Sequence, residues 1–170
     1  MSPNTWRERL KQSLSPRRPS ERLAVVGIGS ELNGDDAAGV LVVRALRAVL
    51  QGDADLLLID AGPAPENFTG SLRRFGPDRV LLVDAADMGA EPGEVAYVPW
   101  QESEGFSAST HTLPISVFGE YIAGELGCEV ALIGIQPAHL DFDRPVSAAV
   151  QAAVRAVAAE IVTIFGPNRR

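Results

Sequence analysis

Cysteine is nearly absent from this chain of 170 residues: Cys128 is the only one. An intrachain disulfide is therefore excluded, and a reducing, cytoplasmic compartment is the natural expectation. Cys128 lies in GELGCEVALIGI, just ahead of an apolar run, where burial is expected instead of nucleophilic duty. Lysine is as scarce, with Lys11 alone, which removes any chemistry that needs a lysine at the end of a late strand. Histidine occurs twice, at 111 and 139, so any imidazole-based site has only two candidates. The N-terminal MSPNTWRERLKQSLSPRRPS lacks an apolar stretch of signal-peptide or membrane-span length, and neither a secretion signal nor a membrane partner is expected.

Charge is unevenly spread. Residues 1–22 hold six of the fifteen basic residues and two of the twenty-two acids, a net of +4, which leaves −11 on the rest of the chain. An acidic body lacks the basic face that nucleic acid requires, so no nucleic-acid partner is expected. With 46% hydrophobic residues the chain suits one domain, and a monomer is the simplest assembly. The organisation expected is a basic, mobile extension over 1–21, a single α/β domain over 22–165 and a short tail over 166–170.

Apolar runs recur as RLAVVGIG, DLLLID, RVLLVDA, EVAYVPW and EVALIGIQP. Several are continuously apolar, as in a sheet covered on both faces. Helix-like stretches fall between them at 35–50, 65–75, 113–126 and 145–165. In the first of these Val42, Val43, Leu46, Val49 and Leu50 make one apolar stripe. The alternation predicts a three-layer α/β sandwich around a twisted, mostly parallel five-stranded sheet. EVAYVPW follows DAADMGAEPGE with no room for a crossover helix, so it is expected as an antiparallel or edge strand.

The chemistry centres on GSELNGDDAAG, residues 29–39, where a strand turns into a helix and two carboxylates stand side by side. A dinucleotide fingerprint is excluded, because Leu32 occupies the third glycine position and Asp35 and Asp36 would face the phosphate. A phospho-acceptor receiver is excluded by the missing lysine. A metal site is consistent with the pattern. Asp84 ends RVLLVDA, Asp36 follows the first strand, and both are expected at the carboxyl edge of the sheet, where open α/β folds bind ligands. His111, in the polar stretch STHTLPIS, supplies an imidazole, and two carboxylates with one imidazole suit a divalent first-row metal with open positions. Asp35 is expected to cap its own helix, leaving Asp36 as the surplus acid. Asp60 and Asp87 read as turn residues, and His139 has no acidic companion on a defined element.

Taken in order, GIGSELNGDDAAG, DAGPAPENF, VLLVDAADMGAEPGEV, STHTLPIS and GIQPAHLDFDRPVS resemble the hydrogenase maturation endopeptidases, which trim the large-subunit precursor of nickel-iron hydrogenases. The likeness spans roughly residues 22–160 and is strongest to the branch serving formate-hydrogenlyase-type hydrogenases; Ser30 stands where the family's opening motif usually has Asn. The resemblance implies that Asp36, Asp84 and His111 contact metal. It also implies that the metal is nickel carried by the precursor, and that the reaction removes a C-terminal extension after nickel insertion. A zinc hydrolase of unrelated substrate, or a non-catalytic chaperone of the nickel-loaded precursor, are the rival expectations.

Overall fold

A computed structural model of the chain describes residues 5–15, 17–106 and 113–166. The apolar runs form five strands: β1 (Leu23–Ile28), β2 (Leu56–Gly62), β3 (Arg79–Ala85), β4 (Val95–Pro99) and β5 (Glu129–Ile135). They make one sheet in the order β2-β1-β3-β5-β4. Neighbours run parallel except β4, which lies antiparallel to β5 with Val95 opposite Ile135 and Pro99 opposite Ala131. The short connection from β3 to β4 explains that exception, since a parallel return needs a crossover of a dozen or more residues. β4 is therefore the antiparallel edge strand that its sequence context predicts.

Among the described residues five helices cover the sheet: α1 (Trp6–Leu14), α2 (Ala38–Val49), α3 (Thr69–Phe75), α4 (Ile115–Leu126) and α5 (Ala148–Phe165). Side chains of β1, β3 and β5 alternate between two cores, as strand geometry requires. Leu23, Val25, Leu81, Val83 and Ile133 pack with α1, α2 and α5, whereas Ala24, Val26, Val80, Leu82 and Leu132 pack with α3 and α4. Among the described residues α5 alone is long and apolar enough to cross a membrane. Here it is a core helix, with Val150, Val154, Val157 and Ile161 buried against the sheet.

Two features place the carboxyl edge of the sheet. A Cβ at Gly39 would meet the Val83 carbonyl at 2.0 Å and the Ile28 carbonyl at 2.5 Å, so the first turn of α2 lies directly on the backbones of β1 and β3. One at Gly29 would meet the Asp36 carbonyl at 1.8 Å. Glycine at these two positions lets the turn carrying Asp35 and Asp36 fold back over the end of the sheet.

Where the structure describes the extension expected over residues 1–21, it is folded against the domain. Thr5 and Glu8 form a reciprocal capping box, and α1 follows. Leu10 and Leu14 are buried in the same core as α2 and α5. Below the helix, Arg79 donates to Glu21 at 2.5 Å and to the Ser13 carbonyl, Tyr97 donates to Ser13 Oγ at 2.7 Å, and Arg17 pairs with Asp53 at 3.1 Å. Burying a leucine side chain is worth about 1.5–3 kcal/mol. Deleting residues 1–15 should therefore lower stability by about 2–4 kcal/mol, read as an earlier urea midpoint; an unchanged midpoint would return the arm to the status of an appendage.

Candidate active site

Between β1 and α2 the chain makes a single 3-10 turn, Gly34–Ala37, in which Gly34, Asp35, Asp36 and Ala37 are all buried. The two adjacent carboxylates do different things. Asp35, 0% exposed, does not cap its own helix as expected: α2 starts without any side-chain cap. Its carboxylate instead reaches across to the chain that follows β5. Oδ2 accepts from the Ala138 amide at 2.7 Å, the His139 amide at 3.4 Å and the Ser147 hydroxyl at 2.8 Å, and Oδ1 accepts from the Ser147 amide at 2.6 Å. Ser147 is the N-cap of α5, so Asp35 caps another helix at one remove. Burial pushes the pKa of Asp35 up, but the Ser147 and Ala138 donors outweigh it and hold the carboxyl below its ordinary range.

Asp36, 2% exposed, accepts from the Ser30 amide at 2.9 Å. Asp84 continues the face of β3 that carries Val80 and Leu82, so its carboxylate lies on the α3 and α4 side at the carboxyl end of the strand. It is 1% exposed, and neither oxygen has a hydrogen-bond partner among the described residues. Burial first, and the neighbouring Asp36 charge second, push its pKa well above the usual carboxylate range, with the Ala85 amide opposing only in part. The structure thus brings the Asp36 and Asp84 carboxylates into electrostatic contact. A cation is the chemical complement of two such carboxylates.

His111 lies outside the described residues. Leu113, two positions later, packs into the core on the same face of the sheet as Asp84. Among the described residues no group of three metal-ligating side chains comes together.

The remaining candidates sort by their partners. Asp60 accepts from Arg44 Nε at 3.1 Å, and Arg44 also pairs with Glu31, so Asp60 belongs to an ion-pair network on β2 and α2. Asp87 is a turn residue, accepting from the Gly89 amide at 3.2 Å and from Gln136 Nε2 at 3.3 Å. Cys128 is half-buried at the amino end of β5, across the sheet from both aspartates, and burial pushes its thiol up. It has neither the place nor the ionisation of a nucleophile.

Two residues matter more than their sequence context suggests. Gln136 brackets the loop after Asp84, its Oε1 accepting from Met88 at 2.7 Å and Ala90 at 3.3 Å. His139 accepts the Asp35 amide on its carbonyl at 3.2 Å, and its ring sits where a side chain at Gly34 would be, 2.5 Å from an added Cβ. The available signal was the position of QPAHLDFDRP, directly after a central strand at the same edge as the GDD turn.

Buried carboxylates on the turn after β1 and at the end of β3 coincide with the motifs of the family that the sequence resembles, and direct comparison settles membership. The family model described as HycI, hydrogenase maturation protease, matches residues 40–164. The chain belongs to that family. It is a peptidase of the hydrogenase maturation type. The hydrogenase 3 maturation protease of Escherichia coli (strain K12) is 36% identical over 131 residues, 76% of this chain and 82% of that protein. The crystal structure of a [NiFe] hydrogenase maturation protease HycI from Thermococcus kodakarensis KOD1 superposes with a TM-score of 0.82 at 32% identity, covering 92% of this chain and 97% of that one. The solution structure of the endopeptidase HycI from Escherichia coli gives 0.73 at 32% identity, covering 84% and 91%. In this maturation protease the GDD turn thus sits on a fold held in common with those two structures.

Proposed function

We propose that this peptidase removes the C-terminal extension of the large-subunit precursor of a nickel-iron hydrogenase once nickel has been inserted, in the cytoplasm, and that Asp36, Asp84 and His111 recognise the nickel the precursor carries. The observation that supports this most is Asp84: a carboxylate at 1% exposure, unpartnered among the described residues, facing a second buried acid. Such a pair is unfavourable in the free enzyme and becomes favourable when a divalent ion arrives between the two charges. If the precursor brings the ion, the enzyme gains that interaction only with loaded precursor, and this differential affinity makes cleavage a check on metal insertion. Similarity to the hydrogenase 3 maturation protease favours a formate-hydrogenlyase-type hydrogenase as the source of the substrate.

The test compares nickel-loaded with nickel-free precursor, reading the precursor's mass after incubation with purified enzyme whose own metal content is measured. Cleavage is expected of the loaded form alone. Equal cutting of nickel-free precursor by enzyme holding stoichiometric zinc would make this an ordinary zinc peptidase, and binding without any mass change would make it a chaperone.

A further inference from the structure

Leu32 and Phe142 are the two most exposed large hydrophobic side chains among the described residues, 64% and 73% accessible. They belong to loops 110 positions apart in the chain that meet at the carboxyl edge of the sheet, where the Asp143 amide donates to the Leu32 carbonyl at 2.8 Å. The Asp35 bonds to Ala138, His139 and Ser147 tie the same two loops, and the His139 ring seats on Gly34. Both apolar residues therefore stand on a backbone fixed by several hydrogen bonds, and Leu32 is four residues from Asp36. Apolar side chains held out in water on a rigid frame suit the anchor positions of a protein interface.

The charge around them narrows the partner. The four described loops at this edge, residues 29–37, 63–68, 86–94 and 136–147, hold nine acidic residues against one arginine, Arg144, which is paired with Asp141 at 2.6 Å, and Arg44 of α2 reaches in to pair with Glu31. Among the described residues no arginine of the N-terminal segment pairs with them. Helix α1 lies on the α2 and α5 face, and Arg17 and Arg22 pair with Asp53 and Asp55 at the opposite edge of the sheet. A negative field at this edge steers positively charged partners towards it and repels acidic ones.

We infer that the Leu32 and Phe142 rim is the surface on which the precursor polypeptide docks, through a segment that sets an apolar side chain among basic ones. This rests on the processing function proposed above. Docking here places the segment beside Asp36 and orients it before the bond is cut. The two residues act in binding, not in the chemistry.

The experiment measures, with nickel-loaded precursor, both the dissociation constant and the cleavage kinetics for wild type, Leu32→Ser, Phe142→Ser and the double variant. Val49→Ser serves as the control, because Val49 is 60% exposed but ends α2 at the far edge. The double variant should raise Kd and KM by about tenfold or more while kcat stays within about twofold, as loss of an anchor predicts. Val49→Ser should change neither. For wild type, Kd should rise as salt is raised from about 50 to about 500 mM, through screening of the acidic edge. An unchanged Kd in the double variant, with wild type still cleaving, overturns the docking surface and leaves the processing function standing. If wild type binds precursor without cutting it, the processing function falls and Kd still tests the rim. If wild type does not bind precursor at all, both fall.

Discussion

Replacing Asp84 by Asn is expected to give a protein that unfolds at a higher temperature than wild type and processes no precursor. The wild-type carboxylate is buried, without a hydrogen-bond partner among the described residues, and feels the charge of Asp36. Removing its charge relieves desolvation and repulsion together, and such relief at a strained site commonly returns about 1–2 kcal/mol. Under the proposed function the same change also removes one of the two carboxylates offered to the substrate's cation. Loss of even an outlying partner of a metal ligand costs about ten- to a hundredfold in affinity or activity, so a group meeting the ion directly should cost more. Asp36→Asn should also stop processing but gain no stability, because its carboxylate already accepts the Ser30 amide. Thermal unfolding beside precursor mass spectrometry checks both. A Asp84→Asn protein that melts several degrees lower would mark Asp84 as a structural residue, and one that still processes precursor would remove it from the site.

The sheet was legible because burial on both faces writes itself into the chain as continuous apolar runs, and all five runs became strands. Asp84 stood out for the same reason: an acid closing RVLLVDA has no place in a core unless something compensates it. The arm was readable too, and its charge concealed it. Trp6, Leu10 and Leu14 recur at helical spacing, and Thr5 with Glu8 matches a capping box, but six basic residues in the same stretch suggested a solvated tail. The role of Asp35 was not readable. A capping preference depends on local spacing, whereas its donors lie 103 to 112 residues away and exist only once β5 has joined the sheet beside β3. From sequence, Asp35 and Asp36 are near twins; in the fold one is saturated with donors and the other faces Asp84.

That difference predicts the behaviour of Asp35→Ala, which should destabilise the protein and loosen the contact between the two loops of the carboxyl edge. The substitution leaves the amides of Ala138, His139 and Ser147 and the hydroxyl of Ser147 without their acceptor. A donor stripped of its partner costs about 1–3 kcal/mol when water cannot replace it, and bonds to a charged acceptor lie at the upper end. Ala138 is an exposed residue that water can reach whereas Asp35 is interior, so a total of about 2–4 kcal/mol is expected in a denaturant titration. The loss should be local first: amide exchange across residues 138–147 and 32–36 should accelerate well before the strands open. Asp35→Asn, which keeps one acceptor oxygen, should fall between Ala and wild type. Since the GDD turn loses its side-chain tether, Asp36 is held less firmly, and precursor cleavage should decline in the same order as exchange protection. If Asp35→Ala instead lowered cleavage while exchange in both loops stayed at the wild-type rate, Asp35 would be acting on the substrate directly and not through the geometry of its neighbours.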